Sequence, residues 1–383
     1  MSSRALITRL VLENYKSIAF CDVKLGPLSL LVGPNGAGKS NFLDALRFLS
    51  EAMNVTAERA FQSREGFSNV LRRGAQPGGH LGIRVEFRNT DGRSGLYTAR
   101  FVRGESSDFV VEGEKCSNGA RFDREPGGSD RLDLPSMLER PEFLRFRSVL
   151  LLLGDCRFYD FVLEKIRQPS PVTNERILRA DGANLATVLH HIARERRPVN
   201  ERITQYLRIV YPALESIGTV EAGGYVTLQF NERAATFHPL QVSDGTLRSL
   251  AVLVALFQRA AGSEGVSLVG LEEPETALHP AAAAVLFDAM REASASVQVV
   301  ATTHSADSLD KKDIDTDAIL SVEIDDAGTR IGHVNETGRK ALREQLYTAG
   351  ELMRMNYLRP ESSVAPDDAA IESLLFDDPV HAS

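Results

Sequence analysis

The pattern of apolar and polar residues predicts strands that alternate with helices, as in an α/β protein. Residues 6–12 and 28–32 are apolar runs, and the second run ends at a glycine, as expected of a buried strand. A helix is predicted from Ser40 to about Met53, because apolar residues recur there at the spacing of one helix face. Those apolar residues are Phe42, Leu43, Leu46 and Leu49.

The next part of the chain predicts antiparallel strands joined by loops. Residues 83–87, 95–102 and 109–112 are alternating segments separated by turn sequences such as Asn-Thr-Asp-Gly, which is typical of hairpins. Residues 58–80 and 113–135 are rich in glycine and polar residues, and we expect them to be loops.

The remainder of the chain passes from helices back to strands. Residues 136–210 are mainly helical by pattern, and strands return at 217–220 and 225–230. A helix near residues 339–355 is expected to close the fold. Residues 360–383 contain six acidic residues and no Lys or Arg, which predicts a disordered tail.

Composition narrows the class of protein. No apolar run approaches the ~20 residues that a membrane helix needs, and the N-terminus lacks the pattern of a signal peptide. The three scattered cysteines fit a reducing cytoplasm better than a disulfide framework. We therefore expect a cytoplasmic protein without a membrane partner.

The charge is unevenly distributed along the chain. The net charge of −8 argues against a protein that coats nucleic acid unspecifically. Residues 59–208 nevertheless carry 26 Lys or Arg against 20 Asp or Glu. This basic segment is either an ordinary solvated surface or a face for phosphate groups or a partner.

The strongest chemical signal is a glycine-rich turn between the predicted strand at 28–32 and the helix that follows. Residues 33–40 read GPNGAGKS and match GxxxxGK[ST] at every fixed position. Glycines let backbone N–H groups surround phosphates, Lys39 supplies a positive charge to the β- and γ-phosphates, and the Ser40 hydroxyl can ligate Mg²⁺. The residues predicted to contact the nucleotide here are Gly33, Pro34, Asn35, Gly36, Ala37, Gly38, Lys39, Ser40 and Asn41.

A second signal is a pair of carboxylates after the apolar run at 268–271. Ligands bind at the carboxyl ends of parallel strands, which is where Glu272 and Glu273 are expected to lie. Glu272 can hold Mg²⁺, through water since its side chain is one methylene longer than Asp. Glu273 can orient or deprotonate the attacking water.

Two weaker signals flank this pair. Ser243 and Gly245 lie at a predicted helix start that could meet an anion, although an ordinary N-cap at Ser243 or Asp244 explains the same residues. His304 follows another apolar strand, 31 residues after Glu273, one strand–helix–strand unit later. That spacing suits a sensor of the γ-phosphate, whereas a lone histidine is more commonly an ordinary polar residue.

In this order, the segments resemble the ABC-type ATPases of the SMC/RecF group, and most of all the stand-alone ATPases called AAA_21 or RecF-like. The similarity covers about residues 4–355. Its motifs are Asn14-Tyr-Lys-Ser17, the signature-like SDGTLR at 243–248, the Walker B and D-loop-like EEPETALHP at 272–280, and the switch histidine, His304.

The resemblance implies a mechanism and a set of partners. Two chains would form a head-to-tail homodimer around two ATP molecules with Mg²⁺. Ser243 and Gly245 of one chain would contact the γ-phosphate held by Lys39 of the other, and Lys39, Glu273 and His304 would be catalytic. Hydrolysis would then loosen the dimer.

The resemblance also implies an ATPase head with a mixed sheet, an antiparallel β lobe and an inserted helical lobe. The predicted segments are the N-terminal nucleotide-binding half (1–58), the β lobe (59–135), the helical lobe (136–215), the C-terminal nucleotide-binding half (216–358) and the disordered acidic tail (359–383). Unlike SMC proteins, the chain has no long coiled coil. A Q-loop glutamine is not assigned, with Gln62 and Gln76 both weak candidates.

The leading hypothesis is a slow ATPase that acts as an ATP-gated dimeric switch in DNA repair or anti-phage defence. DNA and a nuclease or other effector protein would be its partners. The alternatives are the ATPase half of an OLD-like nuclease system and, with least support, the motor subunit of a transporter. A metal-binding nuclease domain is not expected, because turns explain the acidic groups at 313–317 and 325–326.

Overall fold

The computed structural model describes residues 4–74, 79–105, 107–124, 129–137, 140–233, 235–258, 265–276, 278–311, 313–326, 328–361 and 367–377. They form an α/β fold, which confirms the predicted class. The chain divides into two compact units. The first contains Met1–Cys156, Lys312–Tyr347 and Leu352–Ser383, and the second contains Arg157–Lys311 and Thr348–Glu351.

The strands are short to medium in length and occur throughout the chain. They are β1 (Leu6–Tyr15), β2 (Ile18–Lys24), β3 (Leu28–Val32), β4 (His80–Arg88), β5 (Ser94–Val102), β6 (Val110–Ser117), β7 (Arg121–Asp123), β8 (Cys156–Tyr159), β9 (Ser170–Pro171), β10 (Leu214–Ala222), β11 (Tyr225–Glu232), β12 (Ala235–Phe237), β13 (Leu268–Glu272), β14 (Gln298–Thr303), β15 (Ile319–Asp325) and β16 (Gly328–His333).

The α-helices alternate with these strands. They are α1 (Lys39–Asn54), α2 (Ala57–Gln62), α3 (Phe67–Val70), α4 (Asp133–Met137), α5 (Arg147–Gly154), α6 (Leu163–Ile166), α7 (Leu185–Glu195), α8 (Arg197–Val210), α9 (Asp244–Phe257), α10 (Pro280–Ala293), α11 (Glu336–Arg343), α12 (Ala349–Arg354) and α13 (Asp368–Phe376).

The first unit is built on a mixed sheet with the strand order β7-β6-β5-β4-β1-β2-β16-β15-β3. β3 pairs with β15 and β2 pairs with β16 in parallel, whereas the other neighbours are antiparallel. Val32, the last residue of β3, lies opposite Ser321 of β15. Because these two strands run in the same direction, the loop after β3 and the turn after β15 lie at the same edge of the sheet.

The antiparallel strands β4 to β7 continue the sheet that β1, β2 and β3 of residues 1–58 begin. The pairing of β4 with β1 joins residues 59–135 to residues 1–58 within one unit. Residues 136–215, predicted as one helical lobe, contribute α5 to the first unit and α7 and α8 to the second.

An aromatic cluster holds α1, α2 and β5 together in the first unit. The ring of Phe61 lies 4.6 Å from that of Phe48 on α1 and 4.5 Å from that of Phe109, and Phe101 on β5 meets the same rings edge to face. Such pairs contribute about 0.5–1.5 kcal/mol each beyond the area that they bury. This cluster explains why residues 58–70, part of the predicted loop at 58–80, contribute to α2 and α3.

The predicted helix near residues 339–355 is two helices, α11 and α12. Gln345, between them, has a φ of 54°, a left-handed conformation that cannot continue a right-handed helix. β2 was not predicted from the sequence, and it pairs along its length with β1.

The prediction of a disordered tail is wrong for residues 367–377, which include α13. Asp367 caps this helix by accepting from the backbone N–H of Ala370, and Leu375 is fully buried. The acidic composition indicated disorder, but burial of a few apolar side chains against the sheet stabilises the helix instead. The prediction is also wrong for residues 359–361, because Pro360 pairs with Val334 and the backbone N–H of Glu361 donates to the carbonyl oxygen of His333. The rest of the predicted tail, residues 362–366 and 378–383, lies outside the described residues.

The second unit contains a parallel strand pair and a smaller antiparallel sheet. β13 pairs with β14 in register from Leu268 opposite Gln298 to Glu272 opposite Thr302, so both strands end at the same edge. β10, β11 and β12 form the smaller sheet, and β9 pairs with β11. α9 is buried on nearly all sides, which fits its continuous apolar sequence.

Among the described helices, none combines the length and the apolar character needed to cross a membrane.

Candidate functional site

The glycine-rich turn at residues 33–38 joins the fully buried β3 to the start of α1, as the sequence predicts. Gly36 and Gly38 have φ angles of 77° and 103°, which favour glycine. A Cβ on Gly33 would clash with the carbonyl oxygen of Val322, and one on Gly38 would clash with the Thr329 side chain. The turn is therefore a backbone cradle at the N-terminus of a helix, where N–H groups and the helix dipole favour phosphate.

Lys39 lies inside this cradle. Its Nζ donates to the carbonyl oxygens of Gly33 and Pro34, each at 2.9 Å, and the residue is only 4% exposed. The turn thus places a buried positive charge beside its own N–H groups. Ser40 is exposed on the first turn of α1, where its hydroxyl is accessible to a ligand.

A chain of hydrogen bonds braces the cradle from distant parts of the sequence. Asn41 Nδ2 donates to Ser17 Oγ at 2.7 Å, and Ser17 Oγ lies 2.7 Å from Thr329 Oγ1. Thr329 Oγ1 in turn donates to the carbonyl oxygen of Ala37 at 2.9 Å. Ser17 was part of a recognised motif, but Thr329 was missed, because a single threonine in a strand carries no sequence signal.

This brace leads to a testable result. Thr329→Val keeps the side-chain shape but removes the hydroxyl that fixes the Ala37 carbonyl. We expect the affinity for nucleotide to fall about 3- to 10-fold, as loss of one or two hydrogen bonds implies. Titration with a fluorescent ATP analogue would measure this change, with Thr329→Ser as the control that keeps the hydroxyl. Equal affinity of the valine variant and the wild type would show that the brace has no role in binding.

A polar cavity of about 440 Å³ lies beside the brace in the same unit. It is lined by Lys16, Ser17, Asn69, Leu71, Arg72, Arg73, Asp325, Asp326 and Gly328. Except for Lys16 and Ser17, these residues were not predicted as a site, because they come from two segments about 250 residues apart in the sequence. The acidic pair at 325–326, interpreted as part of a turn, lies in the wall of this cavity.

Lys16 is held in place by Asp44, a half-buried carboxylate on α1. Its backbone has a left-handed φ of 50°, and its Nζ lies 2.6 Å from Asp44, which also binds Arg64 at 2.7 Å and the Tyr15 hydroxyl at 2.8 Å. Burial raises the pKa of Asp44, but the hydrogen bonds and charges of Arg64 and Lys16 outweigh it and hold that pKa below its usual value. Asp44 therefore stays ionised and orients the cation at the cavity wall.

The second unit brings the predicted catalytic carboxylate and histidine together. Oε1 of Glu273 lies 3.0 Å from Nδ1 of His304, and both side chains are partly exposed. The backbone N–H of Glu273 donates to the carbonyl oxygen and the Oγ1 of Thr302. Glu273 has a left-handed φ of 42°, a strained conformation typical of functional sites. Glu272, at the end of β13, is half-buried.

Glu275 was missed as an individual residue of this site. Its carboxylate accepts a hydrogen bond from Thr303 Oγ1. Thr303 Oγ1 in turn accepts from the backbone N–H of Ser305. Burial raises the pKa of Glu275, partly offset by the Thr303 hydrogen bond. Thr303 and Glu275 thereby fix the segment that carries His304.

The N-terminus of α9 is capped in the ordinary way. Ser243 Oγ accepts from the backbone N–H of Thr246 at 3.2 Å, while Arg167 binds Asp244 and the carbonyl oxygen of Val242. Ser243 and Asp244 are exposed and Gly245 is partly exposed, so this helix end is accessible. The N-cap interpretation describes the geometry, and a contact of Ser243 or Gly245 with phosphate stays a prediction.

A comparison with the sequence profiles of protein families shows which family the chain belongs to. The sequence profile described as "AAA domain, putative AbiEii toxin, Type IV TA system", AAA_21, matches residues 28–310. The chain belongs to this family. It is an ATPase family of the ABC type, related to SMC and RecF proteins, as the sequence resemblance implied.

Curated relatives of this AAA_21 protein agree with the family. An OLD nuclease of Thermus scotoductus is 25% identical over an alignment of 367 residues that covers 88% of this chain and 66% of the relative. A DNA replication and repair protein RecF of Magnetococcus marinus is 35% identical over 24% of each chain. A chromosome partition protein Smc of Aquifex aeolicus is 33% identical over 23% of this chain and 8% of its own. The chain thus spans just under two thirds of the first of these relatives and far less of the others.

Solved structures confirm the fold of this AAA_21 protein. An Smc head bound to the C-terminal winged-helix domain of ScpA matches with a TM-score of 0.59 and 17% identity, over 87% of this chain and 99% of the head. A Pyrococcus furiosus Smc head with an extended coiled coil matches with a TM-score of 0.57 and 14% identity, over 89% and 99%. The mixed α/β ATPase head predicted from the sequence is therefore correct.

The predicted site residues of the AAA_21 protein fall into two groups. Residues 33–41 form the cradle in the first unit, whereas Glu272, Glu273, His304, Ser243 and Gly245 belong to the second. One site that contains both groups stays a prediction. Gln62 binds Glu58 on α2, and Gln76 lies outside the described residues, so no Q-loop residue is assigned.

Proposed function

We propose that this AAA_21 protein binds Mg·ATP on the cradle at residues 33–41 and hydrolyses it slowly. The observation that carries the proposal is the cradle itself, with two left-handed glycines and the buried Lys39 at a helix N-terminus. The adjoining cavity of about 440 Å³ falls in the usual size range of small-ligand sites and would hold the nucleoside. Arg72, Arg73, Asp325 and Asp326 would supply its polar contacts.

The residues present suit a magnesium nucleotide. Ser40 and Glu272 offer the oxygen ligands that Mg²⁺ prefers, and the ion would neutralise charge on the phosphates. Glu273 would orient or deprotonate the attacking water, and its 3.0 Å contact with His304 would hold the carboxylate in position. In this proposal His304 also senses the γ-phosphate, and Lys39 stabilises the charge that develops on it.

The proposal includes an ATP-dependent homodimer. The exposed N-terminus of α9 carries the positive end of a helix dipole, and Leu240 beside it is 75% exposed. Ser243 and Gly245 of one chain would meet the γ-phosphate that Lys39 of the other chain holds. ATP would then act as a bridge that hydrolysis removes.

Mixing two inactive variants tests this arrangement. Lys39→Ala and Ser243→Arg should each abolish hydrolysis in homodimers, because each damages both composite sites. In a 1:1 mixture, only a mixed dimer contains an intact composite site, and it contains one, so activity should recover to at most about one quarter of the wild-type rate. A mixture as inactive as its components would exclude sites shared between two chains.

We further propose a role in DNA repair or anti-phage defence, as an ATP-gated switch for DNA or a partner nuclease or effector. The names of the relatives, RecF, Smc and OLD nuclease, support this direction. The relationship to the OLD nuclease over 88% of this chain favours one specific alternative. In that alternative the chain is the ATPase half of an OLD-like nuclease system, and a nuclease component would copurify with it.

Salt-dependent binding of a DNA duplex tests the DNA part. Arg93 and Arg121 in the basic segment have side chains that are 73% and 59% exposed. We expect their double alanine variant to weaken binding and to flatten the dependence of log K on log salt, since each lost phosphate contact lowers that slope by about 0.9.

The matched control is Arg233→Ala, whose side chain is 94% exposed and lies outside the basic segment. Anisotropy of a labelled duplex with and without ATP would measure both variants. Wild-type binding that neither ATP nor the double substitution alters would remove DNA from the proposal.

A further inference from the structure

The helix α13 covers part of one face of the antiparallel strands in the first unit. Ile371 and Leu375 pack on Val11 of β1, and Phe20 of β2 and Phe376 join the same apolar cluster. Leu375 and Val11 are fully buried. The contacts therefore fall on the two strands of the β1–β2 hairpin.

Two glycines on the sheet make room for this helix. A Cβ on Gly82 of β4 would come within 2.6 Å of Leu375 Cδ1, and a Cβ on Gly113 of β6 would come within 3.0 Å of the Phe376 ring. Glycine weakens a strand interior and commonly marks a close approach. Here both glycines form recesses for the two residues at the end of α13.

Three basic side chains of the same face receive the C-terminus of α13. Arg84 donates to the carbonyl oxygen of Asp377 at 2.6 Å, and Lys115 donates to that of Phe376 at 2.6 Å. Arg100 binds Glu372 and lies 4.7 Å from the Phe376 ring centroid. Arg84 and Lys115 are only 2% and 5% exposed, so α13 buries both. Cations at a helix C-terminus satisfy its last carbonyls and complement its dipole.

From these contacts we propose that this face is a helix-docking site that recognises an apolar helix end flanked by acidic residues. α13 is its resident occupant, and it secures the β1–β2 hairpin. The glycine recesses, the apolar contacts and the basic side chains all fit the same short segment. This combination is more specific than the burial of an apolar patch alone.

Docking at this face is connected to the nucleotide cavity, a step that rests on the proposed function. Leu375 lies against Gly82, which also neighbours Glu13 of β1. Glu13 binds His80 at 2.7 Å, and the next residue, Asn14, donates to the His80 carbonyl and accepts from the backbone N–H of Arg72. Arg72 lines the cavity, as do Lys16 and Ser17 in the β1–β2 turn. Release of α13 would therefore loosen the hairpin that braces the cradle.

A labelled peptide with the sequence of residues 367–377 tests the site in the full-length chain. The wild type should exclude the peptide, because its own α13 occupies the face. Leu375→Asp should undock α13 and bind the peptide, and adding Gly113→Val to it should abolish this binding by filling the recess. Ala369→Asp, an equal charge at an exposed position of α13, is the control and should behave as the wild type.

Two further readouts test the link to the hairpin. Amide hydrogen exchange of residues 6–24 should accelerate in Leu375→Asp and in the single variant Gly113→Val, which attacks the same contact from the sheet. The Kd for Mg·ATP should rise on the order of 5-fold in both, and excess peptide should restore it in Leu375→Asp alone.

The outcomes separate the two proposals. Peptide binding by the wild type as tight as by Leu375→Asp, or unchanged hairpin exchange in both variants, would overturn the docking site. A wild-type chain without affinity for Mg·ATP would refute the proposed function, whereas peptide exclusion and hairpin protection would still support the docking site.

Discussion

Replacing Lys39 by alanine is expected to abolish nucleotide binding. Lys39 is the buried cation of the cradle, with Nζ 2.9 Å from the carbonyl oxygens of both Gly33 and Pro34. Its charged hydrogen bonds to phosphate would have no replacement, since the backbone N–H groups alone cannot neutralise a triphosphate. We expect Kd for Mg·ATP to rise about 100-fold or more, equivalent to ~2.7 kcal/mol.

Isothermal titration calorimetry would measure this loss. Lys39→Met is the informative companion, because it keeps the apolar stem that fills the cradle and removes only the charge. Thermal unfolding of both variants would show that the fold survives. Wild-type affinity in Lys39→Met would mean that the charge is not used, and the assignment of the phosphate site would be wrong.

Glu273→Gln is expected to retain ATP and to lose hydrolysis. Gln has the same shape and can keep the contact with His304, but it cannot accept a proton from water. Loss of a general base commonly costs about 10²–10⁴-fold in rate. The variant should therefore hold ATP long enough to accumulate the dimer, whereas the wild type returns to its resting state.

Light scattering after size exclusion with Mg·ATP would detect this dimer, and phosphate release would give the rate. Glu201→Gln is a suitable control, because Glu201 is an exposed carboxylate of the same unit that binds Arg197. If Glu273→Gln hydrolyses ATP at the wild-type rate, another group activates the water. If it stops hydrolysis but stays monomeric with ATP, the head-to-tail dimer loses its support.

The cradle was predictable because its signal is local. Gly33, Gly36, Gly38 and Lys39 lie within seven residues, and a strand before them and a helix after them follow from apolar periodicity alone. The closeness of Glu273 and His304 was predictable for a related reason. One strand–helix–strand unit separates them, and parallel strands end at the same edge of a sheet. In each case, the residues with the relevant side chains and the strands or helices that position them lie in one short segment of the chain.

Residues that support the cradle were not predictable. Thr329 reaches Ala37 from 292 residues away, and the cavity joins residues of the 69–73 segment to Asp325, Asp326 and Gly328. Such pairs depend on which strands become neighbours, and the pairing of β3 with β15 and of β2 with β16 leaves no periodic trace in either partner. A side chain such as Thr329 has its role because of where the folded sheet places it, and its residue type alone does not indicate that role.

The ATPase family, the glycine-rich cradle and the placement of Glu273 and His304 at the ends of neighbouring strands follow from the sequence alone, because they depend on residue type at fixed spacing. The brace from Thr329, the cavity wall at Lys16 and Asp325, and the helix α13 depend instead on which strands become neighbours in the folded chain. The acidic segment of α13 forms a helix because Gly82, Gly113 and three basic side chains, two of them buried, fit it on a sheet face that is distant in the sequence. A short helix gains its stability from the surface that it meets, and that surface exists only in the folded chain.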